Sequence, residues 1–101
     1  MGMLAVMRKA IRHEKAVDIA YADESGNTSE RAIWPITIAY YEEKQIVAAW
    51  CTVRQDFRNF RTDRIVSAAP LEARFGKRRA QLAKEWEAIW QAQQKARHPE
   101  G

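Results

Sequence analysis

The chain has 101 residues, 17 Lys and Arg against 13 Asp and Glu, a formal net charge of +4 and a pI near 9.5. That length makes one domain hiding roughly two-thirds of its unfolded surface, and 47% apolar with 30% charged residues is the balance of a soluble globular protein. One cysteine excludes an intrachain disulfide and a cysteine-rich zinc site; no apolar run approaches the ~20 residues of a membrane span, and the N-terminal apolar patch is too short for a secretory signal, so the chain reads as cytoplasmic, with no membrane partner.

Residues 3–15 read as an amphipathic helix, with Leu4, Met7, Ala10 and Ile11 on one face and Arg8, Lys9 and Arg12 off it. Residues 17–22 alternate as a half-buried strand, Val17, Ile19 and Tyr21 sharing a face. Asp23–Asn27 is a turn, in which Gly26 and Asn27 tolerate positive φ. A β-branched and aromatic run over 29–41 predicts a second strand. Pro35 cannot donate to a ladder, so it marks an edge, a bulge or a break. A tight connection leads to a third strand over 45–51, ending at Cys51, which reads as a buried structural thiol.

The stretch from Arg54 to Ile65, RQDFRNFRTDRI, has two readings. As a helix it places Arg54, Arg58 and Arg61 on one face with Asp56 as N-cap. As a strand over 57–61 it puts Phe57, Asn59 and Arg61 on one face and Arg58 and Phe60 on the other. Periodicity does not decide; the β patterns on both sides favour the strand, and a fifth strand follows over 65–69. Leu82, Trp86, Ile89 and Trp90 then mark a long amphipathic helix over 77–95. The sum is one domain over residues 1–96 with a disordered tail at 97–101. It is an α+β, mostly β chain whose five short antiparallel strands want to curl into a small barrel.

VDIAY, the acidic turn, WPITIAYYEEKQIVAAWC, RQDFRNFRTDRI and ARFGKRR together resemble the WYL domain of bacterial transcription regulators. The likeness runs from about Arg8 to Arg79, and its most specific piece is Phe57–Ile65. The naming Trp-Tyr-Leu tripeptide is replaced by Gln45, Ile46 and Val47, which keep strand character. The resemblance implies an Sm-like five-stranded barrel with an N-terminal helix and a basic groove. That groove takes a nucleotide or nucleic acid and signals to a DNA-binding domain. Family members usually carry an N-terminal winged helix-turn-helix, for which the residues before the first strand leave no room, so a DNA-binding partner protein is expected.

Arginines cluster at 54–64 and again at 74–79, whereas acids cluster at 23–30 and 42–43. Guanidinium forks fit phosphate oxygens bidentately, and several around one groove sum their fields. The ligand-binding candidates are Arg54, Arg61 and Arg64, ahead of Arg58, since Arg58 and Arg61 fall on opposite faces of a regular strand. Tyr41 is a candidate stacking surface, and Asp63 lies among the arginines. The competing reading is ordinary surface pairing, Asp63 with Arg61 or Arg64 and Asp56 with Arg54 or Arg58. Phe60 and Trp50 read as core. No catalytic constellation and no cofactor motif is present. Two functions remain: an anion-sensing module that regulates transcription, binding a nucleotide or single-stranded nucleic acid, and an interaction module that forms homo-oligomers or docks another chain.

Overall fold

Helix α1 (Met3–His13) leads into strands β1 (Lys15–Ala22), β2 (Thr28–Tyr41), β3 (Lys44–Cys51) and β4 (Asp56–Arg61). A 3-10 turn (Thr62–Arg64), strand β5 (Ile65–Arg74) and helix α2 (Arg79–Arg97) follow. The structure is a computed structural model and describes residues 2–97. Helix α1 stops two residues short of expectation because Glu14 turns left-handed at φ 55, where its N–H still reaches the Ala10 carbonyl. Its buried face is Val6, Met7 and Ala10. That rotates the expected stripe from Leu4 toward Val6. Helix α2 runs through Arg97; the rest of the expected tail, 98–101, lies outside the described residues.

The strands form one antiparallel sheet in the order β4-β3-β2-β1-β5. Among the described residues no ladder joins the edges β4 and β5, so the sheet is open where a closed barrel was expected. A side chain reaches across instead. The Tyr21 hydroxyl on β1 accepts a hydrogen bond from the Arg61 backbone N–H on β4 at 3.0 Å.

The two prolines of the sheet sit where it can spare a donor. Pro35 lies in the middle strand, and the β2–β3 register shifts between Pro35 and Thr37, which is a bulge. Pro70 lies on the edge strand β5, which pairs only with β1 and therefore continues past it to Arg74. The β2–β3 hairpin turns on Glu42 and Glu43, both at positive φ (51 and 65). Two successive left-handed residues give the twist a two-residue hairpin needs.

The pleat sorts side chains to two faces. On one, Val17, Ile19, Ile33, Val47, Ala49, Cys51 and Phe60 pack with Val6, Met7 and Ala10 of α1 into the hydrophobic core. Burying each large aliphatic there contributes about 1.5–3 kcal/mol. On the other lies an aromatic layer under α2. Trp34 stacks with Trp50 and Phe75, Phe57 meets Trp50 edge-on, and Tyr41 meets Trp90 edge-on. The Trp86 indole N–H donates to Asn59 Oδ1 at 3.1 Å, tying α2 to β4. No described helix is long and apolar enough to cross a membrane.

Candidate ligand-binding site

The alternation along β4 decides where its arginines go. Arg58 pairs with Ala49 and shares the α1-facing side with Phe60, whereas Arg61 pairs with Ile46 and faces the other way. Arg31 on β2 pairs with the core residue Ile19 on β1, so it also points to the core side, one step beyond the apolar packing. Arg64 comes from the 3-10 turn. These three guanidinium side chains, with Tyr21 and Phe60, line one concavity of about 420 Å³ at the end of the core.

The charge in this mouth is only partly met. Arg31 donates to Ser29 Oγ at 3.3 Å and makes no ion pair with a described residue. Arg58 reaches Asp56 at 3.4 Å and Arg64 reaches Glu24 at 3.8 Å, both long contacts to exposed carboxylates. Pairs of this kind are weak and easily exchanged. Asp23, also at the rim, is spent locally: its Oδ1 accepts the N–H groups of Ser25 and Asn27 at 2.9 Å and shapes the β1–β2 turn.

The other sequence candidates are not among the residues that line the concavity. Arg54 is exposed in the β3–β4 turn and does not line the concavity. Arg61 and Asp63 hold each other bidentately, at 3.0 and 2.6 Å. The two hydrogen bonds from Arg61 hold the Asp63 carboxyl below its ordinary value, and the same bonds raise the Arg61 guanidinium. Tyr41 packs against Trp90 under α2. The structure thus brings Arg58 and Arg64 together with Arg31 in the lining of one concavity, which does not include Arg54, Arg61, Asp63 or Tyr41, although Asp63 stays within electrostatic reach of Arg64 and Arg61 of Glu24. Arg31 and Tyr21 were absent from the sequence candidates. Arg31 had a usable signal, since it stands two residues before Ile33 on an alternating strand.

Gln45, at the start of the segment that replaces the family tripeptide, supports this mouth from behind. Its Oε1 accepts from Thr62 Oγ1 at 3.1 Å, and its amide donates to the Tyr40 hydroxyl at 3.3 Å. It therefore ties β3 to the turn that carries Arg64. Ile46 and Val47 are buried.

The second basic cluster, at 74–79, has a different environment. Glu14, 19% exposed at its side chain, accepts the Arg79 backbone N–H at 2.6 Å and Arg78 Nε at 3.2 Å. The Glu14 carboxyl is held below its ordinary value, chiefly by that backbone N–H. Arg79 Nη1 donates to the Ile36 carbonyl at the β2 bulge at 3.3 Å, and Lys77 pairs with Glu85 at 3.2 Å. This cluster docks and caps α2.

The described residues thus form an open five-stranded antiparallel sheet flanked by two helices, with a basic mouth at one end of its core. The family profile for the WYL domain matches residues 2–70, and the chain belongs to that family. Among solved structures it is similar to the proteasome accessory factor B/C (PafBC) of Arthrobacter aurescens, at 24% identity and a TM-score of 0.68. That match covers 72% of this chain and 12% of the other, and it shows the shared fold. No curated protein matches the chain.

Proposed function

We propose that this chain is an effector-sensing module of the WYL type that regulates transcription. It binds an anionic ligand, a nucleotide or short single-stranded nucleic acid, and signals through a DNA-binding partner. The observation that carries this reading is the convergence of Arg31, Arg58 and Arg64, from β2, β4 and the 3-10 turn, on one concavity with weakly matched charge. Guanidinium forks exchange such long surface pairs for phosphate oxygens readily. Tyr21 and Phe60 form the aromatic floor beside them, edge to face at 5.0 Å. In this reading the sheet is an opened form of the Sm-like barrel, and the opening between β4 and β5 admits the ligand.

The likeness to PafBC supports a regulatory setting for the fold. The test is fluorescence anisotropy with a labelled, mixed-sequence single-stranded DNA and a nucleotide panel, at low and high salt. The expected result is binding that weakens steeply with salt and is lost in an Arg58→Glu/Arg64→Glu variant that remains folded. Unchanged binding in that variant refutes the site.

A second reading, an interaction or oligomerisation module, rests on Val66 (66% exposed) on the free edge of β5 and Ile89 (45% exposed) on α2. Light scattering across a wide concentration range separates the two. A concentration-dependent oligomer abolished by Val66→Lys supports association, and a strict monomer rejects it.

A further inference from the structure

We propose that the groove between α1 and β5 is a second binding site, for a small monoanion with an apolar tail, of the aliphatic carboxylate class. The groove encloses about 290 Å³. Its floor is apolar and well formed: Val6, Ala10 and Ala16 are 7%, 5% and 3% exposed, and Leu71 of β5 closes the far wall.

Its mouth is cationic. Lys9 and His13 stand four residues apart on α1 and so share one side of that helix. Lys15, the first residue of β1, joins them from the strand. Among the described residues Glu72 is the one acid lining the groove. It meets Lys15 at 3.4 Å with a carboxylate that is 99% exposed, a contact an incoming carboxylate readily replaces. Neither Lys9 nor His13 has an ion pair with a described residue.

The shape selects the occupant. The volume lies at the small end of ligand sites. Among the described residues no Trp, Tyr or Phe lines it, so it offers no platform for a nucleobase. An aliphatic tail on the Val6–Ala10–Ala16 floor with a carboxylate among Lys9, His13 and Lys15 satisfies both halves of the lining. The ligand then bridges α1 to the edge strand. This site is separate from the arginine mouth and does not depend on its function.

The test is an NMR titration of the full chain with butanoate, hexanoate, octanoate and octan-1-ol. The expected result is saturable shifts at the amides of Val6, Ala10, Ala16 and Leu71. Affinity rises roughly fourfold per added methylene until the groove is filled, and octanol binds at least about tenfold more weakly than octanoate. Lys9→Glu with Lys15→Glu weakens octanoate by about tenfold or more with the spectrum still dispersed; Lys9→Met with Lys15→Met serves if the reversal disturbs folding. No saturable shift, equal binding of octanol, or unchanged binding in the folded lysine variants each overturns the proposal.

Discussion

Arg31, Arg58 and Arg64 converge on the mouth of the core, and Arg78 and Arg79 stand at the start of α2. Arg58 and Arg64 of the first cluster look like the second in sequence, as parts of short runs of cations beside aromatics, and Arg31 joins them from a distant strand. They differ in what meets them. At α2 a single carboxylate, Glu14, comes from the end of α1 to within 2.6 Å of the Arg79 N–H, and a bulge carbonyl takes the Arg79 side chain. At the mouth the nearest carboxylates are 3.4 and 3.8 Å away and exposed. Counting arginines does not separate the two clusters; the geometry of their partners does.

The largest expected effect is an exchange of phenotypes between the two clusters. Arg58→Glu with Arg64→Glu lowers affinity for labelled single-stranded DNA by about two orders of magnitude at low salt and leaves the urea melt nearly unchanged. Arg78→Glu with Arg79→Glu lowers the melting midpoint and leaves anisotropy binding intact. Loss of binding in both variants would erase the distinction drawn here. Next in size is Gly76→Ala. A Cβ at Gly76 would stand 2.8 Å from Trp34 Cη2, whose ring is stacked on Phe75 and Trp50. The expected cost is about 1–3 kcal/mol in a urea melt, with DNA binding unaffected. A neutral result shows that the aromatic layer yields without cost.

Local pattern carried a good deal of this. The alternation of Val17, Ile19 and Tyr21 is a property of one strand, and so is the split of Arg58 from Arg61; both are legible from a few neighbouring residues. The spacing of Trp86 and Trp90 likewise marks the face of α2 that packs on the sheet. What sequence could not supply is register. Arg31 enters the mouth because β2 places it opposite Ile19 and because β4 sits two strands away, and no short window contains that fact. Whether Arg58 or Arg61 shares the core face of β4 likewise depends on contacts outside any short window. The face of β4 that belongs to the core is set by Phe60 packing across β3, and Phe57 is an equally apolar alternative until Trp50 claims it. Pro35 was legible as a disruption, but that the bulge leaves the Ile36 carbonyl for Arg79 depends on α2 returning from the far end of the chain.

Tyr21→Phe probes the opening between the sheet edges at smaller cost. It keeps the ring against Phe60 and removes the hydroxyl that accepts the Arg61 N–H. One net hydrogen bond of this kind is worth about 1 kcal/mol. Hydrogen exchange should quicken at Arg61 and its β4 neighbours while β1 and β2 amides keep their protection. Unchanged exchange at Arg61 would mean that β4 is held by the β3 ladder alone and that the tyrosine does not bridge the open side.

The smallest effect is a pH dependence confined to the α2 junction. Glu14 has its carboxyl lowered from an ordinary 4.5, first by the Arg79 backbone N–H and further by Arg78, against the opposing effect of burial. A carboxyl lowered in the folded state contributes stability that is fully present above its unfolded value and is lost as pH falls through its folded value. Asp63 and Glu85 are lowered too and titrate in the same acid range, so the wild-type melt alone does not isolate Glu14. The difference between wild type and Glu14→Gln does. Urea melts followed by tryptophan fluorescence should show a constant gap from neutral pH down to about pH 5, closing at more acidic pH as Glu14 protonates in the wild type. A gap that stays constant into acid means that shape and hydrogen bonding at Glu14, rather than its charge, hold the start of α2, and the matched cluster is then no more electrostatic than the mouth.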